Sequence, residues 1–218
     1  MVLLFVVYEL FVTDLVAAGD QADLSEQLRH EWSAGPVTDR PAVPGDALAV
    51  LYLPRLGADY RRVVLEGAAE EQLSKGPGHY PGTAMPGERG NLAIAGHRVG
   101  RGSPFLDLDR LRPGDAIVVE TVDTWFVYRV LGDRRTGSFQ GDSSGIPGRE
   151  IVRPTNVDVI SPVPGGPAHA KPDGAWLTLT TCHPKYSAEQ RLVIHAVLTD
   201  EGALKTDAPD GPPALRED

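Results

Sequence analysis

AWLTLTTCHPKYSAEQRLVIHAVL, residues 175–198, sets two apolar runs around a polar segment with a proline. The first run, AWLTLTT (175–181), alternates along its length with the period of two that a strand requires. The second, RLVIHAVL (191–198), is apolar and partly β-branched and reads as another strand. Between them HPKYSAEQ has the composition of a loop. Cys182, the only cysteine in the chain, therefore lies where a strand runs out into a loop. Catalytic residues gather at such places, because the strand fixes the backbone while the loop leaves the side chain accessible.

Upstream, the same short-strand pattern recurs. ALAVLYL (47–53), RVVL (62–65), NLAIA (91–95), AIVVET (116–121), TWFVYRVL (124–131) and NVDVI (156–160) are apolar runs bounded by turn signals. In TWFVYRVL, alternation places Trp125, Val127 and Arg129 on one side and Phe126, Tyr128 and Val130 on the other. With 24 Gly and 19 Pro in 218 residues, about eight short strands predict an all-β barrel or sandwich. AAEEQLSKGPG (68–78) reads as a short helix stopped by Gly76, and SPFLDLDRL (103–111) as a helical turn capped by Ser103.

The ends differ in character. VLLFVVYELFV (2–12) is apolar apart from Glu9, shorter than the roughly 20 residues a membrane-spanning helix needs. It reads as the end of a membrane anchor whose upstream part precedes this chain, the alternative being a partly buried amphipathic helix. Leu24, Leu28 and Trp32, four residues apart, form one face of a helix, and a Pro- and Gly-rich linker follows. The expected division is an anchor over 1–19, a helical stalk and linker over 20–44, a β-domain over 45–198 and an acidic disordered tail over 199–218. A formal charge of −9 argues against a nucleic-acid partner, and one cysteine excludes an internal disulfide scaffold.

Cys182 has two readings, a small buried hydrophobe or a nucleophile, which needs a positive neighbour or a base to reach the thiolate. Among six histidines, His97 is the strongest candidate partner, since NLAIAGHRVGRG repeats the strand-end placement of Cys182. His183 adjoins the cysteine but points to the opposite face. His30 reads as a solvated helix residue, His169 as a loop tip and His195 as a core or edge-strand residue. His79, in the Gly-rich GPGHYPG, is placed to line a groove. Arg191 opens the last strand and has two readings, an ordinary solvated arginine or a fixed, permanently charged donor for an oxyanion. The paired Cys and His spacings of a zinc site are absent, as are a Gly-x-Ser-x-Gly elbow and a phosphate-binding loop. The order His97, Cys182, Arg191 also differs from that of papain-like peptidases.

TLTTC (178–182) matches the Thr-Leu-x-Thr-Cys signature of the sortases, cell-wall cysteine transpeptidases, whose His–Cys–Arg set runs in this same order. KGPGHYPGTAMPGERGNLAIAGHR (75–98) and TLTTCHPKYSAEQRLVIHA (178–196) resemble the class E sortases of actinobacteria. The resemblance covers about Gly45 to Leu198. It implies an eight-stranded sortase-type β-barrel with short helices, preceded by an N-terminal helix. It implies Cys182 as nucleophile, His97 as general acid and base, and Arg191 as the donor that holds substrate and oxyanion. Thr180, Thr181, His79 and Tyr80 are the expected substrate-binding residues. The implied partners are secreted proteins with a C-terminal Leu-Ala-x-Thr-Gly or Leu-Pro-x-Thr-Gly sorting signal and a peptidoglycan precursor, lipid II, as amine acceptor. The implied place is the outer face of an actinobacterial cell membrane, reached through the N-terminal segment. No cofactor is implied; some sortases use calcium, but no acidic cluster in the sequence supplies such a site. A catalytically idle surface barrel that binds peptide tails is the alternative function, and the Cys–His–Arg set argues for the enzyme.

Overall fold

The computed structural model describes residues 13–33, 42–140, 143–199 and 202–217. The apolar run at 2–12 and most of the Pro- and Gly-rich linker lie outside the described residues. Helix α1 (Thr13–Ser33) is followed by β1 (Ala47–Tyr52), β2 (Arg61–Glu66), a single helical turn α2 (Glu70–Leu73), β3 (Gly78–His79) and β4 (Gly90–Ala95). Then come β5 (Ala116–Glu120), β6 (Thr124–Val130), β7 (Arg149–Val152), β8 (Ala175–His183), β9 (Gln190–Leu198) and β10 (Ala203–Leu204).

Eight of these strands form a closed ring in the order β6-β5-β1-β2-β3-β4-β8-β9, and β9 returns to β6. Closure gives each of the eight strands a partner on both sides along at least part of its length. β7 and β10 are added outside it, on β9 and β6. Among the described strands only β2–β3 and β4–β8 run parallel. Alternation sends Leu177 and Leu179 of β8, Leu192 and Ile194 of β9, and Tyr128 and Val130 of β6 into one core, which Phe105, Leu108 and Leu111 also enter. Trp125 and Val127 face outward into a second, smaller cluster, as the period of β6 predicts. The two-residue β3 depends on glycine: a Cβ on Gly78 would stand 2.1 Å from the carbonyl oxygen of Gly67.

Four local expectations are corrected. NVDVI is not a strand; Val157–Ile160 is a 3-10 helix. The Asn91 side chain donates to Val159 O and Ser161 O, so this segment's carbonyls are met by a side chain instead of a neighbouring strand. The missed strand is β7, whose REIV sequence is only half buried and lacks the alternation that marks a buried face. Ser103 caps nothing: the 3-10 turn in its segment is Leu108–Arg110, with Asp107 at the cap position. Finally, residues 202–217 are packed, not disordered. Ala214 is buried against Trp125 and Val127, the Trp125 indole donates to Ala208 O at 3.1 Å, and Arg129 pairs with Glu217. The apolar outer face of β5 and β6 needs a cover, and the tail supplies it despite its acidic composition.

Helix α1 lies against the barrel through Leu28, which is buried, and through Gln21. The Gln21 amide accepts from Val63 N at 2.7 Å and donates to Val63 O at 3.2 Å and Lys75 O at 2.9 Å. It thereby serves a stretch of β2 that β3, only two residues long, does not reach. Among the described residues no helix is long and apolar enough to cross a membrane.

Leu179→Ala removes a fully buried side chain and is expected to cost about 2–5 kcal/mol of stability. Leu204→Ala, at a half-exposed position, should stay within about 0.5 kcal/mol of the parent. Chemical denaturation of the two variants checks the contrast.

Candidate active site

β8 carries the site because it has a different neighbour on each edge. On one side it pairs antiparallel with β9, and Cys182 stands directly opposite Arg191. Side chains directly opposite in such a pair share a face, with Cβ atoms about 5 Å apart. Leu177 and Leu179 point into the core, so Cys182 lies on the outer face with Thr178 and Thr180. On the other side β4 runs parallel, with Ala95 in register with Thr180. The ladder continues one step beyond, from Gly96 N to Thr180 O at 3.1 Å. β4 ends at Ala95; carrying its alternation two residues further brings His97 to the same outer face, level with Cys182. His97, Cys182 and Arg191 thus form a row across three neighbouring chain segments, spaced by roughly 4.8 Å per strand. Gly96 is required at this turn because the Phe105 ring would lie 2.6 Å from any Cβ there.

The surroundings of His97 shape its chemistry. Its Nε2 is buried and makes no hydrogen bond among the described residues; a carboxylate oxygen of Glu70, at the start of α2, is 3.6 Å away. That is an electrostatic contact, too long for a hydrogen bond. The other oxygen of Glu70 takes Arg101 at 2.9 Å. Burial pushes the His97 imidazole below the ordinary histidine range, Glu70 pulls it partly back, and Arg101 adds to the downward push. A neutral imidazole at neutral pH can accept a proton from a thiol and return it to a leaving amine.

Cys182 is partly exposed and free. Arg191 uses Nη1 to donate to Ala188 O and Gln190 O, both at 3.0 Å. Those bonds hold the guanidinium at the mouth of the β8–β9 loop and leave Nε and Nη2 without a partner among the described residues. Thr180 and Tyr80 meet on the outer face, hydroxyl to hydroxyl, at 3.0 Å.

Two expected substrate contacts are turned away from this surface. Thr181 points inward and donates to Gly96 O at 2.8 Å, tying β8 to the His97 turn. His79 is only 1 % exposed. Its ring lies 2.6 Å from a Glu66 carboxylate oxygen and 2.9 Å from the Thr83 hydroxyl, so it braces the loop that carries Tyr80 and does not wall a groove. His195 is also buried, between Thr178 and Glu150.

Arg98 is the residue that sequence reading missed. It is 3 % exposed, pairs with Asp109 at 2.9 Å, and donates to His183 Nδ1 at 3.1 Å and, weakly, to Cys182 O at 3.5 Å. It ties the His97 turn to the end of β8 from inside. Only its position beside His97 marked it, and adjacency in sequence carries no sign of burial. Among the described residues no cluster of three or more His, Cys, Asp or Glu side chains could hold a metal ion.

The family model described as "Sortase domain" matches residues 51–199. Sortase SrtE1 of Streptomyces coelicolor is 33% identical over 217 residues, covering 96% of this chain but 56% of the relative, so the chain spans little more than half of that protein. Among solved structures, SrtF sortase from Corynebacterium diphtheriae is similar at a TM-score of 0.75 and 40% identity, covering 84% of this chain and 98% of that one. Sortase E from Streptomyces avermitilis is similar at 0.64 and 38% identity, covering 80% and 99%.

Glu70 raises the His97 imidazole, against burial and Arg101, which lower it. Glu70→Gln is therefore expected to move its titration to lower pH, leaving the ring neutral over a wider range. NMR titration of the His97 ring in the two proteins checks this; an unchanged midpoint would exclude Glu70 as an influence.

Proposed function

The chain belongs to the sortase family, whose members are cysteine transpeptidases, and we propose that it joins secreted proteins to a cell-wall amine through Cys182, His97 and Arg191. The observation that carries this reading is the cross-strand pair Cys182–Arg191, with His97 two residues past the end of β4, whose Ala95 pairs with Thr180. The substrate is a C-terminal sorting signal of the form Leu-Ala-x-Thr-Gly, with Leu-Pro-x-Thr-Gly as the second choice.

Neutral His97 takes the thiol proton, and the Cys182 sulfur attacks the threonine carbonyl of the signal. The C–S bond forms, the oxygen carries the developing negative charge, and Arg191 donates to it through the nitrogens not held by the loop. The C–N bond to glycine then breaks as His97-H⁺ returns its proton to the leaving amine. In the second half an incoming amine from a peptidoglycan precursor, lipid II, loses its proton to His97 and attacks the thioester. An amide forms and the thiol is restored.

The Tyr80–Thr180 hydroxyl pair stands on the same outer face as Cys182. It forms the wall against which the second residue of the signal packs, alanine in preference to proline. In this reading residues 45–198 are the catalytic unit. Residues 1–19 anchor it at the outer face of an actinobacterial membrane, and 20–44 join the two.

The decisive experiment incubates the protein with a Leu-Ala-Glu-Thr-Gly peptide and weighs the intact chain. An adduct equal to the peptide less its glycine fragment, absent in Cys182→Ala and discharged by an added amine, is expected. No adduct and no cleavage with either signal, on folded protein, overturns the reading in favour of a barrel that only binds. Arg191→Ala should lower kcat/KM by about 10²–10³. Tyr80→Phe, which removes the hydroxyl contact, should change the ratio of kcat/KM between the Leu-Ala and Leu-Pro signals; an unchanged ratio would remove Tyr80 from specificity.

A further inference from the structure

In a chain of net charge −9, arginines collect in one cleft. Its volume is about 550 Å³, and Arg55, Arg110, Arg112 and Arg149 line it beside Phe139, with Asp109 the one acidic residue of the lining. The cleft lies off the sheet face that carries Cys182 and Arg191, although Asp109 of its lining also holds Arg98. Arg149 stands opposite Ile194 in the β7–β9 ladder, and Ile194 faces the barrel core, whereas Cys182 and Arg191 face outward.

Local carboxylates do not neutralise these guanidiniums evenly. Asp115 holds Arg55 by two contacts of 2.8 Å. The Asp109 carboxylate is taken by Arg98 at 2.9 Å, so Arg149 meets Asp109 only through its backbone carbonyl, at 3.1 Å. Arg149 is further fixed by stacking on Phe139, 4.1 Å from the ring centre. The nearest acid to Arg110 is Asp107 at 3.7 Å, and Asp107 also carries Lys185 at 3.0 Å. The Arg112 side chain has no hydrogen bond or ion pair among the described residues. Three guanidiniums therefore share a concave surface with no carboxylate at hydrogen-bond distance, a concentration of like charge that an anion relieves.

We propose that this cleft binds a phosphate-bearing anion of two or more charges, a phosphate or diphosphate group. A planar carboxylate engages one guanidinium fork and supplies one charge. A phosphate presents oxygens in several directions, each able to accept from an arginine fork, and brings enough charge for three of them. Arg149, held by Phe139 and Asp109, is the preorganised member; Arg110 and Arg112 close on the ligand. The group can reach the cleft on a soluble compound or on a lipid headgroup.

Calorimetric titration of the full chain with inorganic diphosphate at low salt is the test. Saturable binding is expected, weakened by added salt as exposed charges are screened. Arg112→Gln should weaken it at least about tenfold, the effect of losing one charge-assisted contact. Arg112 has no internal partner, so this variant should melt with the parent; Arg149→Gln is the second variant. Flotation with phosphatidylcholine vesicles, with and without phosphatidic acid, separates the sources. Retention on the phosphatidic-acid vesicles that diphosphate reverses assigns the site to a headgroup. Diphosphate binding without retention assigns it to soluble compounds. No saturable binding, equal affinity in folded Arg112→Gln, or citrate binding as tightly as diphosphate would each overturn the proposal.

Discussion

The parallel ladder between β4 and β8 is the constraint on which the candidate site depends. It keeps six residue pairs in register, from Gly90 with Ala175 to Ala95 with Thr180. His97 and Cys182 are 85 positions apart in the numbering of the chain, and no hydrogen bond between their side chains is needed to align them. A slip of one residue would turn either side chain to the other face of the sheet. The Gly96–Thr180 and Thr181–Gly96 bonds lock that register at its last step, where the strands give way to loops. The antiparallel β9 does the same for Arg191 from the other edge.

Around that frame, buried polar groups do the local adjustment. Arg98 and Thr181 pull the two strand ends together from the inside, while Glu70 and Arg101 stand over His97 from outside. Buried polar side chains of this kind hold one geometry because losing a partner leaves a costly unpaired group. The loop carrying Tyr80 is treated likewise: the His79 ring, between Glu66 and Thr83, anchors it from below. A histidine that looks available in a glycine-rich loop thus serves the fold, and its neighbour Tyr80 takes the position toward solvent.

The N-terminal helix and the C-terminal tail also meet. Lys205 of the tail lies 3.9 Å from the Trp32 ring centre and 2.7 Å from a Glu120 oxygen. Cation–π contact and ion pair together join helix, tail and barrel wall on the side of the ring away from β8. The acidic, Pro-containing composition of the tail gave no warning of this, because its order comes from the apolar outer face of β5 and β6.

Much of the barrel was legible in the residues themselves. Alternation in TWFVYRVL sorted its side chains into the two groups that the barrel separates, since side-chain direction in a strand follows from local backbone geometry. The position of Cys182 at a strand end was legible for the same reason, as was the helical face through Leu28. NVDVI, β7 and β3 were not, because short segments take their conformation from partners: Asn91 for the first, β9 and β2 for the others. The fate of His79, Thr181 and Arg98 was equally hidden, since which polar group is buried depends on what folds over it. The sequence by itself determined the longer strands, their alternation and the chemistry of the residues at their ends. Only the tertiary structure decided which ends stand side by side and which polar side chains turn inward, because strand register and burial are set by contacts between segments far apart in the chain.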